Sequence, residues 1–165
     1  ELAYQFLKST CDQIYVLGFS LGGTLAYLLA AEYPEIKGVV TDGAIFKVAH
    51  WGAHALRILE AVLEHVFYRD LGMPRVPVPQ EMRHIAYDIY PTRSTYQILE
   101  LADYVRPRLL SVTCPVLAIQ SIKDNVVHNH SAQIILDNIS SAKKEVYWFG
   151  DEHISLVHPN KEAYQ

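Results

Sequence analysis

From residue 13 to residue 31 the sequence carries no charged side chain, and Gly18-Phe19-Ser20-Leu21-Gly22-Gly23 stands at the middle of that run. Before it comes Ile14-Tyr15-Val16-Leu17, short and β-prone. After it comes Thr24-Leu25-Ala26-Tyr27-Leu28-Leu29-Ala30-Ala31, built mostly from good helix formers. The run approaches the length of a membrane-spanning helix. Its central glycines, serine and threonine lower its hydrophobicity, however, and no second such segment follows. The reading that fits is a buried parallel strand, a sharp turn with Ser20 at its tip, and a buried helix. A buried parallel strand needs helices on its faces, so this one stretch confines the chain to an α/β architecture.

The same stretch has the G-x-S-x-G spacing of a nucleophile elbow. A serine hydroxyl is a poor nucleophile until it is lifted into reach of a base. Glycines two places before and after it, Gly18 and Gly22, let strand and helix pass close behind the turn, where a side chain would clash. Ser20 then stands at a helix N-terminus, where unpaired N–H groups and the dipole favour developing negative charge.

The chain after the elbow continues in the same grammar. Tyr33-Pro34 ends the helix, because proline disfavours helical geometry in the residue before it. Gly38-Val39-Val40-Thr41 follows as a strand closing at Asp42-Gly43-Ala44, which completes a βαβ unit. Residues 47–110 contain no β-branched run of strand type. Leu56, Leu59, Leu63 and Val66 recur at helical spacing, with Arg57, Glu60 and Glu64 on the opposite side. Met73-Pro74-Arg75-Val76-Pro77-Val78-Pro79 is a stiff connector, and helices are expected near residues 80–90 and 94–105. Strands resume at Pro115-Val116-Leu117-Ala118-Ile119-Gln120 and Glu145-Val146-Tyr147-Trp148-Phe149, with a helix over residues 130–139 between them. The organisation expected is therefore an α/β core of residues 1–46 and 111–165, interrupted by a helical cap or lid at 47–110. Such a cap lies over the carboxyl ends of the strands, where ligands bind.

Composition narrows the function classes. A chain of 165 residues, half of them apolar, can bury a core. A net charge of −4 with interspersed signs argues against nucleic acid as a partner. The two cysteines, Cys11 and Cys114, offer no disulfide framework; both precede apolar runs and read as buried or half-buried thiols, which favours the cytoplasm. No metal site is expected, since His50 and His54 share i, i+4 spacing without a glutamate between them or a third ligand. His128 and His130 fall in a polar turn and read as solvated.

A serine elbow needs a base and a group to orient it, in the chain order serine, acid, histidine. Asp124 sits just past one late strand and His153 just past the next, on the edge of the sheet from which Ser20 emerges. His153 takes the Ser20 proton and returns it to the leaving group, while Asp124 holds the imidazole tautomer. The Leu21 backbone N–H supplies one oxyanion donor. Asp42, also past a strand, is the alternative acid, and His158, before Pro159, the alternative base.

Gly18-Phe19-Ser20-Leu21-Gly22-Gly23, Ser121-Ile122-Lys123-Asp124-Asn125-Val126-Val127 and Asp151-Glu152-His153-Ile154-Ser155-Leu156 together resemble the α/β-hydrolase superfamily, in its carboxylesterase and monoacylglycerol-lipase branch. The resemblance implies the triad Ser20, Asp124, His153, no cofactor, and hydrolysis of small-molecule esters with an apolar acyl group, lipid-derived esters included. Thioesterase, acyltransferase and peptidase chemistry, or a non-catalytic binding role, are the alternatives on the same fold. It also implies a second oxyanion donor from a loop after an earlier strand, which this sequence does not contain. The chain accordingly reads as the C-terminal part of an α/β-hydrolase fold, N-terminally truncated. The strand at residues 14–17 would then be an uncovered edge, and the piece alone insoluble or nearly inactive.

Overall fold

The computed structural model describes residues 2–49 and 92–150. In chain order these form α1 (Leu2–Thr10), β1 (Tyr15–Phe19), α2 (Leu21–Glu32), β2 (Gly38–Asp42), α3 (Thr92–Val105), a 3-10 helix (Arg106–Ser111), β3 (Val116–Ser121), α4 (His130–Asn138) and β4 (Lys144–Phe149). The chain divides into two compact units, residues 1–50 with 101–165, and residues 51–100. The strands, the elbow and the acid loop all belong to the first. Of the second unit only residues 92–100, the start of α3, are described.

The described strands make one parallel sheet in the order β1-β2-β3-β4. Parallel neighbours cannot be joined by a hairpin, so each connection crosses over a face. Helix α2 carries the chain from β1 to β2, and α4 carries it from β3 to β4. Register sorts the side chains by face, because successive Cβ atoms alternate. Val16, Val39 and Val116 form one row, and Gly18, Thr41 and Ala118 the next. Their face packs against the helices and supplies much of the core with Tyr27, Ala30, Leu109, Val112 and Ile135. Each fully buried aliphatic side chain there contributes about 1.5–3 kcal/mol. Tyr27 enters this core with its hydroxyl satisfied, 2.9 Å from Thr41 Oγ1, and burial pushes its phenol well above the ordinary range.

The uncharged run does fold as strand, turn and helix, but the strand is buried on one face only. Tyr15 and Leu17, on the opposite face of β1, are 66% and 67% exposed. Among the described residues β1 pairs with β2 alone, so it is an edge of the sheet, and the helices pack on the Val16 and Gly18 side. Helix α2 begins directly after Ser20 and ends before Tyr33, whose N–H closes back on Leu29 O.

Cys11 corrects another expectation. It is exposed at the C-terminal end of α1, its N–H bonded to Leu7 O, whereas Cys114 is half-buried. The apolar run starts three residues after Cys11, too late to draw the thiol inward. Helix α3 covers the span expected at 94–105 and starts two residues earlier. The cap helix with Leu56, Leu59, Leu63 and Val66, the proline connector and the helix expected at 80–90 lie outside the described residues. No described helix is long and apolar enough to cross a membrane.

Candidate active site

The site is built at the carboxyl edge of the sheet. Register sets Phe19 beside Asp42, and Asp42 beside Ile119; Ser121, the end of β3, lies beside Phe149, the end of β4. The segments that leave these strand ends therefore emerge along one edge.

Ser20 occupies the turn between β1 and α2 with φ 52° and ψ −119°. It is the one non-glycine residue with positive φ among those described. A side chain in this region costs about 1–3 kcal/mol and persists only where the surroundings impose it. Here two backbone hydrogen bonds do so: Ser20 N donates to Asp42 O at 2.8 Å, and Gly23 N to Ser20 O at 2.9 Å. Serine at a helix start normally caps it through its side-chain oxygen, yet the Ser20 hydroxyl makes no capping hydrogen bond. Leu21 opens α2, so its N–H is one that the helix cannot satisfy internally.

The glycines divide the labour differently from the motif. A Cβ on Gly18 would stand 2.4 Å from Gly22 O and 2.7 Å from Gly23 Cα, so the strand and helix backbones touch there as expected. A Cβ on Gly22 would meet nothing within 4 Å. The second tight position is Gly23, where a Cβ would lie 2.7 Å from Ala44 Cβ. Gly22 contributes its backbone to the close approach rather than its missing side chain.

Asp124 lies in the loop after β3. Its Oδ1 accepts the N–H groups of Val126 at 2.9 Å and Val127 at 2.8 Å, a side chain closing its own turn. Its Oδ2 accepts Gln120 Nε2 at 3.3 Å. Asp42 is buried, and its backbone carbonyl is the acceptor that fixes Ser20. The structure thus sets both candidate acids on the edge that carries Ser20. His153 and the rival His158 lie outside the described residues, as do His50 and His54. His128 is only partly solvated: its Nδ1 accepts the N–H of His130 at 3.1 Å, and burial, with Lys47 and His130 nearby, holds its pKa below 6.5.

Residues 44–49, leaving β2, tie the elbow to the acid loop, a feature absent from the sequence reading. Thr24 of α2 donates its hydroxyl to Ile45 O at 2.8 Å and accepts Ile45 N–H at 3.1 Å. Ser131 of α4, fully buried, accepts Lys47 N–H at 2.9 Å and donates to Lys47 O at 3.1 Å. Val48 then bridges Val127 in antiparallel fashion, with His128 N donating to Lys47 O at 2.8 Å and Ala49 N to Val126 O at 3.0 Å. One signal for these roles was present in the sequence: Thr24 is a β-branched hydroxyl residue in a helix with no charged side chain before Glu32.

Comparison with known proteins gives the kinship of the chain. Residues 3–151 match the family model Serine aminopeptidase, S33. The chain is 32% identical over 152 residues to a thermostable monoacylglycerol lipase of Bacillus sp. (strain H-257), a match covering 88% of this chain and 56% of that protein. It is 23% identical over 147 residues to a carboxylesterase of Bacillus subtilis (strain 168), covering 88% of this chain and 58% of the relative. The chain thus spans a little over half the length of the curated relatives it matches. Among solved structures, the monoacylglycerol lipase of Paleococcus ferrophilus superposes with a TM-score of 0.77 at 15% identity, over 99% of this chain and 69% of that one. A chain from a study of two metagenome-derived lipolytic enzymes, LipS and LipT, gives 0.82 at 24% identity, over 99% and 66%. These structural likenesses carry the fold, and the family match carries the kinship. The chain belongs to the serine aminopeptidase S33 family of α/β hydrolases, in the branch of its monoacylglycerol lipase and carboxylesterase relatives.

Proposed function

We propose that this chain carries most of the catalytic apparatus of a serine ester hydrolase acting on carboxylic esters with an apolar acyl group. The observation that carries the reading is the backbone of Ser20, held at φ 52° between strand and helix with its hydroxyl unused for capping. In this reading Ser20 Oγ attacks the ester carbonyl while His153 removes its proton. The tetrahedral oxyanion forms against the Leu21 N–H at the start of α2, a contact of a kind worth about 3–4 kcal/mol. Collapse of this intermediate expels the alcohol, which takes the proton from His153 and leaves an acyl-enzyme. Water, deprotonated by His153, attacks the acyl group, releases the acid and restores Ser20. Asp124 holds the imidazole and stabilises its cation; its Oδ1 accepts two N–H groups of its own loop. Asp42, buried at the end of β2, is the alternative acid. No metal or organic cofactor is required by this chemistry.

The relatives' names, monoacylglycerol lipase and carboxylesterase, support an ester of glycerol or another small alcohol as the substrate. A helical cap over residues 47–110, whose sequence carries the apolar stripe Leu56, Leu59, Leu63, Val66 and Phe67, would shelter such a substrate. The family's name favours a second reading, cleavage of a peptide bond beside a free amino terminus. Nitrophenyl esters of increasing chain length, tested beside amino-acid nitroanilides on the full-length protein and its Ser20→Ala variant, separate the two. Ester cleavage that rises with acyl length and vanishes in Ser20→Ala is expected. Anilide cleavage without ester cleavage would replace this reading by the peptidase one.

A further inference from the structure

Strand β3 reads Val116-Leu117-Ala118-Ile119-Gln120-Ser121, and its one amide side chain is almost wholly buried: Gln120 is 1% exposed. An amide taken out of water costs free energy unless its hydrogen bonds are replaced. Gln120 Nε2 donates to Asp124 Oδ2 at 3.3 Å and approaches Ser121 O at 3.4 Å, both at the long end of hydrogen bonding. The N–H groups of Val126 and Val127 both donate to the other oxygen of Asp124, Oδ1. These donors belong to the acid's own loop and move with it. Gln120 belongs to the sheet, and it holds the second oxygen.

We propose that Gln120 is a positioning residue: its amide ties the Asp124 carboxylate to the sheet and holds the acid in place for the histidine base. The inference rests on the reading of Asp124 as the triad acid. The amide suits this place chemically. A lysine would donate equally well but would offset the negative charge that stabilises the imidazolium. A glutamate would set two carboxylates side by side, and one would hold a proton at neutral pH. An amide donates without charge. It sits on the strand that delivers the acid loop, so the orientation is inherited from the sheet.

The test uses Gln120→Met, Gln120→Glu and Asp124→Ala in the full-length protein, with kcat, KM, pH–rate profile and thermal midpoint measured on a nitrophenyl ester. Gln120→Met keeps length and removes the donor; kcat should fall about tenfold with KM within about twofold of wild type. In Gln120→Glu the introduced carboxyl donates to Asp124 while protonated and repels it once ionised. Its profile should therefore gain a descending limb on the alkaline side that wild type lacks. A wild-type kcat in Gln120→Met, or a Gln120→Glu profile of wild-type shape, overturns the proposal. Should Gln120→Met not fold, the Gln120→Glu profile decides alone. Loss of activity in Asp124→Ala beside an unaffected Gln120→Met sinks only the role of Gln120. An active Asp124→Ala sinks the assignment of the acid and the role of Gln120 with it.

Discussion

Alanine at Gly18 would place its methyl carbon 2.4 Å from Gly22 O, 2.7 Å from Gly22 C and 2.7 Å from Gly23 Cα. All three are backbone atoms, so no rotamer change can relieve the overlap, and the start of α2 must move away from β1 by about the missing ångström. Forced overpacking of this kind costs about 1–3 kcal/mol, and three backbone contacts argue for the upper end. The shift also displaces Ser20, whose geometry depends on the bonds Ser20 N to Asp42 O and Gly23 N to Ser20 O. Gly23→Ala meets Ala44 Cβ at 2.7 Å and Ala44 Cα at 3.0 Å; the segment after β2 must shift, for about 2 kcal/mol. Gly22→Ala meets nothing within 4 Å and lies within α2, where alanine is favoured over glycine by up to about 1 kcal/mol. Urea unfolding of the three variants, with the rate of fluorophosphonate labelling measured in parallel, gives the comparison. The expected order is Gly18→Ala worst, Gly23→Ala intermediate, Gly22→Ala neutral or slightly stabilising. Equal damage from Gly22→Ala and Gly18→Ala would refute the steric account, as would an unaffected Gly18→Ala.

Ser20→Gly removes the positive-φ penalty at the elbow but adds glycine's entropy, for a net stabilisation of up to about 1 kcal/mol with complete loss of activity; a destabilised variant in urea unfolding would contradict the strain argument. Thr24→Val keeps the shape of a buried side chain but strands Ile45 N–H and C=O, at a cost of about 2 kcal/mol, whereas Thr24→Ser should restore most of it. Equal stability of the two variants in the same experiment would rule out the hydrogen bonds as the cause. Glu35, paired with Lys8, has its pKa lowered from 4.5 to about 2. A depressed carboxyl pKa stabilises the fold above its unfolded value, so this contribution is lost as pH falls from 4.5 toward about 2. Both partners are exposed, so the effect is small and screened: Glu35→Gln should differ from wild type in acid-unfolding midpoint at low salt and match it at high salt.

The outline of the core was legible because it rests on local signals. Tyr33-Pro34 stops α2, the apolar runs after residues 14, 38 and 115 form β1, β2 and β3, and glycine spacing marks the elbow. What escaped depends on contacts between distant residues. Gly22 and Gly23 are neighbours in sequence, and only the approach of Ala44 separates their roles. Ser131 bonds a segment 84 residues away and Thr24 one 21 residues away, distances over which no periodicity in sequence persists. Gln120 went unremarked as the end of a strand, although an amide in so apolar a run is itself a request for a partner.

The central claim is that Ser20 is an activated nucleophile. Its most direct measurement is fluorophosphonate labelling of the full-length protein followed by mass mapping of the adduct. The account predicts a single phosphonylated serine at Ser20, abolished in Ser20→Ala and slowed severely in Asp124→Ala and His153→Ala. An unreactive folded wild type, or an adduct on another residue, would contradict it.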